Sequence, residues 1–208
     1  MKEQETNLRA RRSGDNARGF SLVEMVIVVA VALTLMAIAM IQAQPALLQI
    51  RANTAKDQVQ SALRTARESA ISNRRSVKVE FLVNPAGNPT GYYVRLTRMG
   101  GGFGPDTVFL FMAIQNSVIF TTFNTLPDTP DGYGNGAPIY FGGLANGPPA
   151  GMFYQSDGTF ITSTGIPING TVFLGIPNQP STARAITVLG TTGRVRSYHN
   201  SATAWFDY

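Results

Sequence analysis

The chain has 208 residues, 44% of them hydrophobic and only 14% charged, with no cysteine and a single histidine. That length suits one globular domain plus an anchor, and the missing cysteines exclude a disulfide frame, a thiolate metal site and a cysteine nucleophile. The formal charge of +5 comes from the N-terminal third: residues 1–19 carry five basic and three acidic side chains, 20–75 six and three, and 76–208 six of each, which excludes a globally basic nucleic-acid-binding head.

Residues 1–19 are polar and basic, with Arg9, Arg11, Arg12 and Arg18 ahead of Gly19. From Met25 to Ile41 the only side chain that is neither hydrocarbon nor thioether is Thr34. Counted from Phe20, the run reaches the roughly 20 residues that span a bilayer as a helix. The basic flank is the side that stays in the cytoplasm. One carboxylate, Glu24, stands near the start of the run, where lipid makes it costly, so it needs a partner or a functional reason.

The stretch Arg18-Gly19-Phe20-Ser21-Leu22-Val23-Glu24-Met25 resembles the class III signal of type IV pilins and pseudopilins. The resemblance implies that a prepilin peptidase cuts between Gly19 and Phe20 and methylates the new Phe20 amine. It implies a role for Glu24, the fifth residue after the cut: pairing with the Phe20 amine of a neighbouring subunit in a filament. Such a pair offsets part of the cost of desolvating each charge. An ordinary secretory signal is cut after its apolar stretch; here the cut precedes the run, which stays on the mature chain.

No glycine occurs between Phe20 and Ala86, and Pro45 is the one proline before Pro85. A single helix is expected from Phe20 to about Asn73, about 80 Å long at 1.5 Å per residue. That exceeds any bilayer, so the second half must pack on the head. There Leu48, Ala52, Ala55, Val59, Ala62, Ala66 and Ala70 form one apolar stripe at helical spacing. Arg51, Lys56, Asp57, Arg64, Arg67 and Glu68 are expected on the other faces, and Pro45 is expected to kink or locally melt the helix.

Beyond residue 85 lie 19 of the 21 glycines, the mark of a turn-rich β region. Strands are expected at Val77–Val83, Tyr92–Thr97, Thr107–Met112, Ser117–Thr121, Met152–Gln155, Thr159–Ile161, Thr171–Gly175, Ala185–Leu189 and Val195–Tyr198. Residues 124–151, rich in Gly, Pro, Asn and Asp, read as a long surface insertion.

Two further motifs resemble the GspH/FimT subgroup of pilins. One is the turn Phe153-Tyr154-Gln155-Ser156-Asp157-Gly158. The other is a terminal hairpin, Arg184-Ala185-Ile186-Thr187-Val188 followed by Gly193-Arg194-Val195-Arg196. In members of that family that serve natural transformation, the Gly-Arg-x-Arg element binds DNA. The resemblance therefore marks Arg194 and Arg196 as candidate DNA contacts; the two share one strand face, Arg184 is expected to join them from the paired strand, and Tyr198 and His199 lie nearby as stacking groups. No acidic residue lies between Gly158 and Phe206 to neutralise them locally.

Other candidate chemistry is thin. Gly100-Gly101-Gly102-x-Gly104 lacks the Lys-Ser/Thr and following helix of a phosphate cradle. His199 has no nucleophile-elbow serine to serve. Asp128 and Asp131 are too sparse to prefer a calcium site over turn-forming aspartates. No enzymatic activity, cofactor, metal or small-molecule substrate is expected.

The expected fold is α+β and pilin-like, one long N-terminal helix packed on a mainly antiparallel β head. Residues 1–19 form the leader, 20–42 the transmembrane and assembly helix, 43–75 an amphipathic helix and 76–208 the head. The expected role is a minor pilin or pseudopilin, a structural subunit of a type II secretion pseudopilus or a type IV pilus. The second reading is a DNA-binding minor pilin for DNA uptake. The expected partners are prepilin peptidase, other pilins, the inner membrane and, on the second reading, DNA. The topology is single-pass, leader cytoplasmic and head extracytoplasmic, with the subunit entering a filament after assembly.

Overall fold

The computed structural model describes residues 20–102, 104–142, 151–201 and 204–207. One helix, α1, runs from Leu22 to Asn73 without interruption, Pro45 included. The expected local melting at Pro45 does not occur. Proline deletes one hydrogen bond of many, and the ladder on either side holds. The helix stops at a Schellman-type end: Arg74 takes a left-handed φ of 50°, Arg75 N–H donates to the Ala70 carbonyl at 3.2 Å and Arg74 N–H to that of Ile71 at 3.3 Å.

The chain divides into two compact units, Met1–Ala43 and Gln44–Tyr208. In the first, the described part is bare helix. Its apolar side chains are exposed throughout, from Leu22 at 80% to Ile41 at 70%. The helix is long and apolar enough to cross a membrane.

The second unit joins the rest of α1 to two antiparallel sheets. The first sheet has the order β3-β2-β1-β6-β7, from Thr107–Ala113, Tyr92–Arg98, Val77–Val83, Met152–Tyr154 and Phe160–Thr162. The second has the order β11-β10-β9-β8-β4, from Ala204–Asp207, Arg194–Ser201, Gln179–Leu189, Gly170–Ile176 and Ile119–Phe120. A further short strand, β5 (Ile139–Phe141), also pairs with β8. In β1, Val77, Val79 and Phe81 are buried while Lys78 and Glu80 are half-buried, the alternation that strand geometry imposes.

The main core gathers Ala55, Val59, Ala62, Leu63, Ala66 and Ala70 of α1 with residues of both sheets, among them Val79, Leu96, Leu174 and Ile186. The alanines let backbone approach backbone closely. Lys56 departs from expectation. It is 5% exposed, not on the solvent face, because position 56 borders the stripe at Ala52, Ala55 and Val59. Its ammonium pairs with Asp57 at 2.9 Å.

The centre of the second sheet is buried on both faces. Every residue of β8 is buried. Even positions such as Leu174 and Ile186 join the main core. Phe173, Ala183, Ala185, Tyr198 and Trp205 form a second cluster on the opposite side. What covers that side is the expected surface insertion, which the structure corrects. Residues 122–137 leave the edge of β8 and fold over the sheet, and the chain returns to pair as β5, with Phe141 fully buried. Both ends are clamped to one residue: Thr121 N–H donates to the Phe173 carbonyl at 3.2 Å, and Phe173 N–H to that of Pro138 at 2.7 Å. The excursion is an Ω-loop, closed by Thr122 Oγ1 donating to the Gly136 carbonyl at 3.1 Å. Residues 143–150 of the insertion lie outside the described residues. Strand β11 is an element that the sequence pattern did not disclose.

Candidate functional site

At the N-terminal end, Gly19 lies outside the described residues. Phe20 is 73% exposed. Glu24 sits in the first turn of α1, where the positive end of the helix dipole favours a carboxylate. Among the described residues it has no ion-pair partner. The carboxylate and the apolar surface following it therefore have nothing to satisfy them within the described chain.

The C-terminal arginines do not form one patch. The hairpin pairs Arg194 with Leu189, Arg196 with Thr187 and His199 with Arg184. Residues directly opposite share a face. Arg194 and Arg196 thus lie on the outer face, whereas Arg184 lies on the inner one. Arg184 is 3% exposed. Its Nε donates to Asn53 Oδ1 at 2.7 Å, Nη1 to the Ala183 carbonyl at 2.8 Å and Nη2 to Gln49 Oε1. It ties β9 to α1, so it is a structural arginine and cannot reach an external phosphate.

Arg196 has a carboxylate after all. Asp131, at the heart of the Ω-loop, accepts from Arg196 Nη1 at 2.9 Å. The same carboxylate accepts from Thr187 Oγ1 at 2.6 Å and from the Tyr198 hydroxyl at 2.9 Å. Burial first, and then the bond to Asp131, push the Tyr198 phenol above its ordinary pKa. Neither expected stacking group is fully exposed. Tyr198 is buried. His199 faces inward and stacks on Phe206, ring centroids 5.7 Å apart. Burial and the charges of Arg184 and Lys56 hold its imidazole below the usual pKa. Arg194 remains exposed and makes no ion pair among the described residues.

The two short glycine motifs meet. Gly158, at φ 86°, ends the turn in which Asp157 Oδ1 accepts from Thr159 N–H at 2.9 Å. Its carbonyl accepts from Arg67 Nε of α1 at 3.3 Å. Gly193, at φ 62°, packs so closely that a Cβ would collide with that Gly158 carbonyl and approach Tyr154 Cε1 to 2.9 Å. Two turns 35 residues apart in sequence are thus fastened to each other and to the helix. Asp128 forms a turn, accepting from Thr129 N–H at 2.7 Å and Gly134 N–H at 2.9 Å. Among the described residues no cluster of His, Asp and Glu could hold a metal.

Residues 14–40 match the family described as the prokaryotic N-terminal methylation motif. The matched residues end inside α1, so the motif and the exposed half of the helix coincide. Among solved structures the chain is similar to the minor pseudopilin EpsH from the type 2 secretion system of Vibrio cholerae. The identity is 12% and the TM-score 0.44, over 72% of this chain and 97% of that one. No curated protein matches the sequence.

The residues that sequence reasoning missed are Asp131 as a hub, Arg67 as a turn clamp and Trp205 as a lid. Only β8 announced that the second sheet has two covered faces: Thr171-Val172-Phe173-Leu174-Gly175-Ile176 is the near-continuous apolar run of a strand buried on both sides.

Proposed function

We propose that this chain is a minor pilin or pseudopilin: a non-enzymatic subunit that is cut between Gly19 and Phe20, methylated on Phe20 and assembled into a filament through α1. The carrying observation is the methylation motif at residues 14–40 continuing into a helix whose apolar side chains are exposed from Leu22 to Ile41. Before assembly the inner membrane covers that surface; afterwards the helices of neighbouring subunits cover it. Glu24, which has no ion pair among the described residues, meets the Phe20 amine of a neighbour and sets the axial register. The filament is a type II secretion pseudopilus or a type IV pilus.

The test is co-expression with and without a prepilin peptidase, followed by mass spectrometry of the N-terminus. A methylated Phe20 that appears only with the peptidase supports the reading. An intact leader in both, or cleavage elsewhere, overturns it.

DNA uptake has less support. Of its three candidate arginines, Arg184 is buried and Arg196 is paired with Asp131. Phosphate contact falls to Arg194, and one contact gives weak, salt-sensitive binding. A gel shift of the wild-type chain against Arg194→Ala tests it.

A further inference from the structure

The Ω-loop does not fill the space it covers. Between it and the second sheet lies a cavity of about 220 Å³. Its walls include Phe123, Leu126, Phe173 and Trp205, the last being the only tryptophan in the chain. The space opens to solvent at one side, and an apolar cavity of about 150 Å³ is enough to admit benzene. Polar bonds hold the walls of this one in place. Trp205 Nε1 donates to the Pro127 carbonyl at 2.8 Å. Phe173 is clamped through both its N–H and its carbonyl. Asp131 anchors the loop to three side chains of β9 and β10. Two exposed polar residues, Asn124 and Asp128, also border the space. The Asp128 carboxylate is engaged by backbone N–H groups of its own loop, which leaves the Asn124 amide to meet a ligand.

We propose that this cavity is a binding site for one aromatic ring bearing a single polar substituent, the ring seated among Phe123, Phe173 and Trp205. A mostly apolar pocket with few polar groups is how small ligands are held, and ring-on-ring contacts add to the burial. Two sources carry this chemistry: a free phenol-like molecule, or the tyrosine side chain of a neighbouring protein.

The experiment uses the full chain in detergent, with p-cresol as the probe. Trp205 emission is excited where tyrosine is silent, and thermal stability is measured in parallel. Wild type should give a saturable change in emission and a higher Tm, since a ligand bound only by the folded state stabilises it. Ala183→Leu, whose side chain grows into the cavity, should weaken binding by about tenfold or more. If that variant does not fold, Phe123→Ala, which removes a half-buried wall ring, should weaken binding as well. N-acetyl-tyrosine amide separates the sources. Competition with p-cresol supports the site and shows that it accepts a ring on a peptide backbone. Saturable p-cresol binding without that competition supports the site for free ligands alone. No saturable change in wild type, or equal binding in a folded filled or wall-deleted variant, overturns the proposal.

Discussion

Asp131 and Arg196 are 2.9 Å apart across 65 residues of chain. The pair joins the Ω-loop to β10, and the Asp131 side chain is 12% exposed against 38% for Arg196. The carboxylate also holds Thr187 and Tyr198, so its removal strands two hydroxyls as well as a guanidinium. Asp131→Ala should destabilise the head by about 1–3 kcal/mol in a denaturant titration. Trp205, bonded to the same loop through Pro127, should shift its emission to the red as the loop lifts. Stability within a few tenths of wild type would show that the loop is held by apolar contact alone.

The Gly158–Gly193 contact makes a separate forecast. Gly193 has a positive φ and no room for a Cβ. Gly193→Ala combines backbone strain with a steric clash and should cost about 1–3 kcal/mol in thermal or chemical unfolding. Gly165 also has a positive φ but open space around its missing Cβ. Gly165→Ala carries the strain without the clash and should cost about 1–2 kcal/mol, less than Gly193→Ala. Equal effects at the two sites would refute close packing of the two turns.

Arg184 and Arg194 should separate stability from binding. Arg184→Ala leaves Asn53, Gln49 and a backbone carbonyl without their donor in a buried place and should destabilise by about 2–4 kcal/mol. Arg194→Ala should leave the unfolding curve unchanged and lower whatever affinity the chain has for polyanions. The opposite pattern would refute the placement of the two arginines on opposite faces of the hairpin.

Glu80 and His199 contribute to the pH dependence of the head on the acid side of neutrality. Burial tends to raise the Glu80 pKa, but hydrogen bonds and charge from Arg95 and Lys78 outweigh it and hold the carboxyl below its usual range. The contacts are 2.7 Å to Arg95 and 2.9 Å to Lys78. Folding therefore favours the ionised form: the contribution is complete above the unfolded carboxyl pKa and is lost as pH falls through the lower folded value. His199 is also depressed, by burial and then by Arg184 and Lys56. For a base this again means that the unfolded chain binds the proton more readily. Its contribution is complete above the ordinary imidazole pKa and fades as pH drops from there towards the folded value. Denaturation midpoints taken between neutral and mildly acidic pH should fall in wild type, and His199→Phe should flatten that first decline. Glu80→Gln should flatten only the later, more acidic one. A flat wild-type profile would contradict both assignments.

Glu24→Val tests assembly apart from processing. Cleavage after Gly19 should proceed as in wild type, because the residues flanking the cut are untouched, while incorporation into filaments should fall sharply. Normal incorporation of a processed Glu24→Val subunit would remove the proposed pairing with a neighbour's amine.

Much of the architecture was legible because it rests on local rules. The glycine-free run yielded α1 to within a residue or two, and alternation in Val77–Val83 yielded β1. The N-terminal motif was equally local: glycine, phenylalanine, glutamate and the apolar run stand in register along the chain. The arginines were not legible, because their faces depend on turn length. Gly190 to Gly193 connect Leu189 to its partner Arg194, so even positions of β9 face odd positions of β10, and Arg184 turns away from Arg194 and Arg196. Asp131 was hidden for a different reason. Its partners lie 56 to 67 residues further along, and a stretch rich in Gly, Pro and Asn gives no periodicity by which to place it.

Because Phe173 alone receives both ends of the Ω-loop, whatever lies between Thr121 and Pro138 is tethered at neighbouring points. Strand β8 keeps its partners on the far side whatever that segment contains. The position is a socket into which loops of other lengths and compositions can be set without re-registering the sheet. A subunit family that kept this scaffold could change what the outer face of its head presents by exchanging a single segment, and leave its helix, and so its place in an assembly, untouched.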